Sequence, residues 1–209
     1  MGVPSVFVRT SGCNLRCAWC DTPYASWNPE GPVRGVEEIA EEVVATGIRH
    51  AVLTGGEPML FEATVALAER LRAAGMTITV ETAGTVYRDL PCDLMSISPK
   101  LAHSTPNDPV WGPRHEASRL PLPTLARLIE TYDHQLKFVV KDASDLPEIE
   151  SLLAKLPPVR PDRILLMPEG REAPILWARM KALVPLALEK NWRLAPRMQI
   201  DLFGDTKGT

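Results

Sequence analysis

Apolar runs alternate with amphipathic segments along most of this chain. Short apolar runs bounded by turn residues are typical of strands, and apolar positions repeating every three or four residues are typical of helices. The pattern predicts six strands, over residues 5–9, 50–54, 77–81, 93–98, 135–140 and 163–167. It predicts helices over residues 36–46, 61–74, 123–131, 145–156 and 173–189.

This alternation of strands and helices predicts an α/β fold. Strands separated by helices pair in parallel through right-handed crossovers. We therefore expect a partial (β/α)6-type parallel barrel, formed as a single domain over residues 1–209. The segment 101–122 shows no clear periodicity and is longer than most connections in compact domains, so it is predicted to be a loop or lid.

Composition and charge indicate which classes of partner and which cellular compartment to expect. The formal net charge is −3 and there is no basic run, which argues against a nucleic-acid partner. No apolar stretch approaches the ~20 residues that span a bilayer, and no charged-then-apolar leader precedes Cys13, so we expect no membrane partner. Clustered cysteines suit a reducing compartment, and the predicted location is cytoplasmic.

Polar residues follow the predicted strands at the points where those strands end. Such residues occupy 9–22, 54–57, 81–85, 98–100 and 167–170. Ligands of parallel α/β folds bind at the carboxyl ends of the strands. These segments are therefore expected to form one shared site.

Three cysteines in the first of these segments suggest a metal centre. Cys13, Cys17 and Cys20 have the spacing C-x3-C-x2-C. A structural zinc site takes four protein ligands, so zinc would need a distant fourth ligand such as His50 or His103. A [4Fe–4S] cluster needs one ligand per iron, and three thiolates leave one iron open to another molecule. The spacing favours the cluster.

This loop resembles the signature of the radical S-adenosylmethionine (SAM) superfamily, and Thr54-Gly55-Gly56-Glu57-Pro58 resembles its GGE motif. Residues 9–15 with Cys20-Asp21-Thr22 resemble one branch, the 7-carboxy-7-deazaguanine synthases. That resemblance implies conversion of 6-carboxy-5,6,7,8-tetrahydropterin to 7-carboxy-7-deazaguanine with loss of ammonia, towards queuosine and related deazapurines. It implies a [4Fe–4S] cluster, SAM and Mg²⁺ as cofactors, a flavodoxin- or ferredoxin-type reductant and a homodimer.

The resemblance also assigns site residues. It makes Cys13, Cys17 and Cys20 the cluster ligands and Thr22 a ligand of Mg²⁺, which prefers oxygen donors. Arg9, Thr54 and Thr209 are assigned to the pterin, whose carboxylate suits the planar fork of an arginine. The residues assigned to SAM are Trp19, Cys20, Asp21, Gly56, Ser98, Pro99, Lys100, Met167, Pro168, Glu169 and Gly170. No side chain is assigned as catalytic, because SAM and the cluster generate the radical.

Two alternatives remain open on the sequence. A glycyl-radical enzyme activase shares the cysteine spacing and a GGEP element, although Arg9 and Thr22 argue against it. A non-catalytic iron–sulfur or zinc protein is the other alternative. Synthases also carry a Gln-Gly-Glu-bearing segment upstream of the first cysteine, and it has no counterpart in the twelve residues before Cys13. We therefore expect some pterin contacts of the family to be missing from this sequence.

Overall fold

The computed structural model describes residues 2–207. Seven strands form one parallel sheet in chain order: β1 (Val6–Thr10), β2 (His50–Gly55), β3 (Thr77–Thr82), β4 (Leu94–Ile97), β5 (His134–Val140), β6 (Ile164–Pro168) and β7 (Arg193–Leu194). Each strand pairs with its neighbours in the chain, and within residues 2–207 β1 and β7 do not pair with each other. The predicted partial parallel barrel is confirmed. It has seven strands instead of six, because β7 is too short to show a periodicity.

Helices occupy most connections between the strands. Those in the described part of the chain are α1 (Val36–Ala45), α2 (Glu62–Ala73), α3 (Trp111–Ser118), α4 (Leu122–Thr131), α5 (Leu146–Leu153), α6 (Ala173–Lys190) and α7 (Met198–Phe203). All five predicted helices are present, with ends shifted by a few residues. Between residues 2 and 207, no helix combines the length and apolar character needed to cross a bilayer.

The segment 101–122, predicted to be a loop or lid, is not a continuous loop, and its action as a lid stays a prediction. It contains a short 3₁₀ turn, Ala102–Ser104, followed by α3. The buried face of α3 and its end consists of Gly112, His115 and Arg119. These residues have helical spacing. None of them is an apolar side chain of useful size, so hydrophobic periodicity could not reveal this helix.

The two faces of the sheet differ in character. One face packs against the helices and forms the hydrophobic core, with Leu53, Val80, Ile97 and Phe138 almost completely buried. Side chains alternate between faces along a strand. The residues that alternate with these along the strands, such as Thr54, therefore line the opposite, inner face. That face carries polar groups and leads to the carboxyl ends of the strands.

Candidate active site

The cysteine loop, residues 11–22, begins directly after β1 at the carboxyl edge of the sheet. Its backbone is fastened to the loop after β2, since Gly56 N donates to Thr10 O at 3.0 Å and Glu57 N donates to Gly12 O at 2.9 Å. Gly12 N donates to Ala25 O at 2.9 Å. The first residues of the loop are therefore held in place before any ligand binds.

Glycine is required at position 56 by this close approach of backbones. A Cβ at Gly56 would lie 2.2 Å from the carbonyl oxygen of Gly12 and 2.3 Å from that of Ala25. Glycine has no Cβ, so it alone fits between them. The approach seen here is to the protein's own backbone, and the SAM contact predicted for Gly56 remains a prediction.

Glu57, the acidic residue of the GGE motif, is a structural link. Its carboxylate is fully buried and accepts hydrogen bonds from Thr82 Oγ1 and Ala83 N, both at 2.8 Å. It also accepts from Met59 N at 3.0 Å. Burial raises the pKa of Glu57. The carboxylate thus ties the loop after β2 to the end of β3, beside the cysteine loop.

The three thiols of the loop are free and differ in exposure. Cys17 is buried, whereas Cys13 and Cys20 are partly exposed. Burial raises the pKa of Cys17 to about 12 and also raises that of Cys13, while the nearby Lys100 ammonium acts in the opposite direction. The hydroxyl of Ser26 lies 3.1 Å from Sγ of Cys20. Hydrogen bonds to the sulfurs are one way in which proteins tune iron–sulfur clusters.

This donor set fits a [4Fe–4S] cluster better than a single metal ion. A cubane binds each thiolate to a different iron, so its ligands need not converge on one point. Within residues 2–207, no three His, Cys, Asp or Glu side chains are grouped to hold one metal ion. His50, one candidate fourth zinc ligand, lies at the amino end of β2 and is 2.7 Å from Ser5 Oγ and 2.9 Å from Thr79 Oγ1. It is at the opposite edge of the sheet from the thiols.

Trp19 and Lys100 form one wall beside the thiols. Lys100 Nζ donates to Ser98 Oγ at 2.9 Å and lies 5.7 Å from the centre of the Trp19 ring. Trp19 Nε1 is buried and has no hydrogen-bond partner in the described residues. Buried donors are rarely left unpaired. This N–H is therefore available to a bound molecule, which fits the SAM contact predicted for Trp19.

His103 connects this wall to the ends of two further strands. Its ring centre lies 5.6 Å from that of Trp19. Nδ1 is 3.2 Å from Asp145 Oδ1, and Nε2 is 3.5 Å from Glu169 Oε2 without a hydrogen bond between them. Glu169 follows β6, and its N–H donates to Val140 O at 2.8 Å. The predicted SAM segment after β6 is thereby joined to Trp19 through one histidine.

Asp21 and Thr22 place hard oxygen donors side by side. Thr22 Oγ1 lies 3.4 Å from Asp21 Oδ1, and the pair suits Mg²⁺, which prefers such ligands. Asp21 Oδ2 accepts a hydrogen bond from the buried Arg197, whose Nε donates to Pro168 O at 3.3 Å. Burial alone would raise the pKa of Asp21, but the Arg197 guanidinium lowers it. Asp21 is therefore ionised at neutral pH.

Polar side chains from four strands line the inner face below this site. The strand register places Arg9 opposite Thr54. Thr54 Oγ1 donates to Glu81 Oε2 at 3.2 Å, and Lys137 Nζ donates to Glu81 Oε1 at 2.8 Å. The Lys137 ammonium lowers the pKa of Glu81 although burial opposes it. The exposed side chain of Arg9 makes no hydrogen bond or ion pair with residues 2–207, so its guanidinium is free for a ligand carboxylate.

Comparison with known proteins agrees with this geometry. The sequence model of the Radical SAM superfamily matches residues 7–117. A 7-carboxy-7-deazaguanine synthase from Halobacterium salinarum is 48% identical, and the alignment covers 100% of this chain and 86% of that protein. Its counterpart from Rhodopirellula baltica is 45% identical, with coverages of 100% and 82%. This chain belongs to the 7-carboxy-7-deazaguanine synthase family.

A solved structure shares the fold of this family member. QueE from Escherichia coli superposes with a TM-score of 0.69 at 24% identity, over 94% of this chain and 86% of that chain. Membership of the synthase family favours the synthase activity over a glycyl-radical activase and over a non-catalytic metal protein. The cofactors of the family are a [4Fe–4S] cluster, SAM and Mg²⁺.

The structure brings most of the predicted synthase residues to one edge of the sheet. Those after β4 are Ser98, Pro99 and Lys100, and those ending or following β6 are Met167, Pro168, Glu169 and Gly170. Gly170 lies against α6, where an added Cβ would be 3.3 Å from Leu176 Cδ2. Thr209, predicted to contact the pterin, lies outside the described residues.

Sequence reasoning missed several polar residues of this synthase site. Glu81 lies in the segment 81–85 that the sequence assigned to the shared site, but it was given no role there. Lys137 was missed, although it interrupts an apolar strand at an inward-facing position, and such an interruption is a signal that could have found it. The pairing of His103 with Asp145, and that of Arg197 with Asp21, have no comparable signal in the sequence.

Proposed function

We propose that this chain is a radical SAM carbon–nitrogen lyase that converts 6-carboxy-5,6,7,8-tetrahydropterin to 7-carboxy-7-deazaguanine with release of ammonia, in the biosynthesis of queuosine and other 7-deazapurines. One observation carries the proposal. The thiol loop, the oxygen donors of Asp21 and Thr22, and the unpaired guanidinium of Arg9 meet at the same edge of the sheet. The relatives that cover this chain end to end are named for the same reaction.

Substrate binding is assigned to the inner face. A guanidinium can donate two parallel hydrogen bonds to a carboxylate, so Arg9 binds the 6-carboxylate of the pterin. Thr54 lies opposite Arg9 in the register and contributes a hydroxyl. Lys137 neutralises Glu81, which otherwise competes for the guanidinium of Arg9.

The cofactor sites follow from the residues around the thiol loop. Cys13, Cys17 and Cys20 would hold the cluster, and Thr22, whose hydroxyl lies beside the carboxylate of Asp21, would hold Mg²⁺. When bound, the cluster and SAM supply the abstraction of a hydrogen atom from the pterin. The remaining assigned residues bind and orient SAM: Trp19, Cys20, Asp21, Gly56, Ser98, Pro99, Lys100, Met167, Pro168, Glu169 and Gly170.

We extend the proposal to the assembly and its surroundings. The chain acts as a single radical SAM domain in a homodimer in the cytoplasm and receives electrons from a flavodoxin- or ferredoxin-type protein. Thr209 contributes to the pterin site. The net charge of −3 and the absence of a basic run support a small-molecule substrate without a nucleic-acid or membrane partner.

An anaerobic assay tests this function. The reconstituted chain is incubated with SAM, dithionite, Mg²⁺ and 6-carboxytetrahydropterin, and mass spectrometry follows 7-carboxy-7-deazaguanine. We expect product only when SAM and the pterin are both present. Formation of 5′-deoxyadenosine without the deazapurine would contradict the substrate assignment.

A variant pair tests the role of Arg9 in the same assay. Arg9→Lys is expected to raise the KM for the pterin by roughly tenfold while leaving the KM for SAM unchanged, because an ammonium cannot form the bidentate contact. Arg49→Lys is the matched control, since Arg49 is also exposed but precedes β2 at the opposite edge of the sheet. Equal changes in both KM values for Arg9→Lys would contradict the assignment.

A further inference from the structure

Ser26 lies in a segment that is fastened to the cysteine loop on both sides. Gly12 N donates to the carbonyl oxygen of Ala25 at 2.9 Å, and Nε1 of Trp27 donates to the carbonyl oxygen of Cys17 at 3.0 Å. Ser26, between Ala25 and Trp27, is buried, with 3% of its surface exposed. These contacts hold Ser26 at a fixed position against the loop that carries the thiols.

The hydroxyl of Ser26 approaches the sulfur of Cys20. The two atoms lie 3.1 Å apart, whereas the carbonyl oxygen of Thr22, a second acceptor for the hydroxyl, is 3.4 Å away. A serine hydroxyl has one hydrogen to donate, and an ionised acceptor forms the stronger bond. A thiolate that binds iron has no hydrogen of its own. When Cys20 is such a thiolate, the hydroxyl of Ser26 is therefore the donor.

Cys20 differs from Cys13 in the origin of its donor. Sγ of Cys13 accepts from the backbone N–H of Leu15 at 3.4 Å, which every residue except proline would supply at that position. The donor to Cys20 is a side chain, so it depends on which residue follows Ala25. Ser26 and Leu15 are both buried, and the low dielectric constant of such surroundings strengthens a hydrogen bond. The choice of serine therefore adjusts the electronic environment of one thiolate.

We propose that Ser26, acting through Cys20, raises the reduction potential of the cluster. This rests on the proposed function, which makes Cys20 a cluster ligand. Reduction transfers one electron from an external reductant such as dithionite to the cluster, and no covalent bond forms or breaks. The thiolate sulfurs share the added negative charge, so a hydroxyl that donates to Cys20 stabilises the reduced form more than the oxidised form.

The reduction potential of the reconstituted chain tests this role without turnover. Anaerobic potentiometry in the absence of SAM and pterin follows the electron paramagnetic resonance signal of the reduced cluster. We expect the ratio of reduced to oxidised cluster at a fixed potential to fall about tenfold in Ser26→Ala, a shift of about 59 mV to more negative potential for one electron. Thr85→Ala is the matched control, because that hydroxyl donates at 3.0 Å to Asn14 of the same loop instead of to a cysteine. Its potential should equal that of the unmodified chain.

Further variants separate a redox role of Ser26 from a merely structural one. Ser26→Thr keeps a hydroxyl and should restore the potential of the unmodified chain. Ser26→Gly removes the hydroxyl as Ser26→Ala does, so it should show the same shift, and the test does not depend on one variant assembling a cluster. A structural role would lower the iron content of Ser26→Ala and Ser26→Gly and leave the potential of the assembled clusters unchanged.

The outcomes distinguish this inference from the proposed reaction. An unchanged potential in Ser26→Ala and Ser26→Gly, or an equal shift in Thr85→Ala, would overturn the role of Ser26. A chain that shows the expected shift but forms no deazapurine in the anaerobic assay would contradict the proposed reaction and leave the role of Ser26 intact. Failure of the unmodified chain to assemble a cluster would overturn both.

Discussion

Nη1 of Arg197 donates a hydrogen bond to Oδ2 of Asp21, a residue 176 positions earlier in the chain. Nε of the same guanidinium donates to Pro168 O at the end of β6. Because β1 and β7 do not pair within residues 2–207, this contact is a link between the two open sides of the partial barrel. It joins the cysteine loop to the strand end that carries Glu169.

Removing this link should destabilise the fold. Arg197→Met leaves the carboxylate of Asp21 and the carbonyl of Pro168 without their donor, which costs about 1–3 kcal/mol of unfolding free energy. Urea denaturation of the variant and of the unmodified chain measures this loss of unfolding free energy. Arg160→Met is the control, because the pair of Arg160 with Asp162 is exposed and worth at most about 1 kcal/mol. Equal losses in the two variants would show that Arg197 does not link these segments.

Acidification should destabilise the protein through His115. Burial, assisted by Arg119 and Lys100 and opposed by Glu116, lowers the pKa of His115 to about 4. The unfolded chain, in which a histidine has a pKa of about 6.5, therefore binds more protons than the folded chain between about pH 4 and pH 6.5. The stability that depends on a neutral His115 is fully present above about pH 6.5 and is lost as the pH falls through this range. We expect a loss of about 2 kcal/mol from pH 7 to pH 5.

The measurement is urea denaturation at both pH values, with the chain before cluster reconstitution. His115→Gln removes the titrating ring and should lower the stability at pH 7 but flatten its dependence on pH. A variant that loses as much stability on acidification as the unmodified chain would assign the effect to other groups.

Loss of one cluster thiolate should abolish cluster assembly. Cys17→Ala removes the ligand of one iron, and a loop that supplies only three cannot replace it. Iron content and visible absorption after anaerobic reconstitution report the result. Cys92→Ala is the control, since Cys92 packs against the core away from the loop. About four irons per chain in Cys17→Ala would refute the cluster assignment.

Magnesium dependence should change when the hydroxyl next to the cluster loop is removed. Thr22→Ala deletes the proposed protein oxygen ligand, so the Mg²⁺ concentration needed for half-maximal activity should rise severalfold. Thr105→Ala is the control, because that hydroxyl donates instead to Glu116. An identical magnesium titration for Thr22→Ala and the unmodified chain would exclude Thr22 as a ligand.

Removing the charge of Lys137 should weaken pterin binding. Lys137→Met leaves Glu81 unneutralised on the inner face, where its carboxylate attracts the guanidinium of Arg9 and competes with the substrate. We expect the pterin KM to rise about tenfold with a smaller change in kcat. Lys190→Met, which breaks the surface pair with Glu150, should leave KM unchanged. A fall in kcat alone would contradict this role of Lys137.

The local patterns of this sequence determined its architecture and much of its chemistry. The period of apolar residues revealed six of the seven strands and five helices, because burying one face of a strand or helix requires apolar residues at regularly spaced positions along it. The spacing of Cys13, Cys17 and Cys20 indicated the cluster because all three ligands lie on one short loop. No tertiary contact is needed to bring them together. The ends of the strands located the site, since parallel connectivity brings them to one edge.

Only the tertiary structure decided which polar groups meet at that edge. A lone arginine or histidine can pair with any acidic residue, so Arg197 with Asp21, and His103 with Asp145, could not be predicted from the chain. Helix α3 escaped prediction because Gly112, His115 and Arg119 are buried through specific polar contacts and close packing, which leave no apolar period. Which polar side chains pair with each other depends on distances set by the whole sheet, and not on the residues adjacent to them in the sequence.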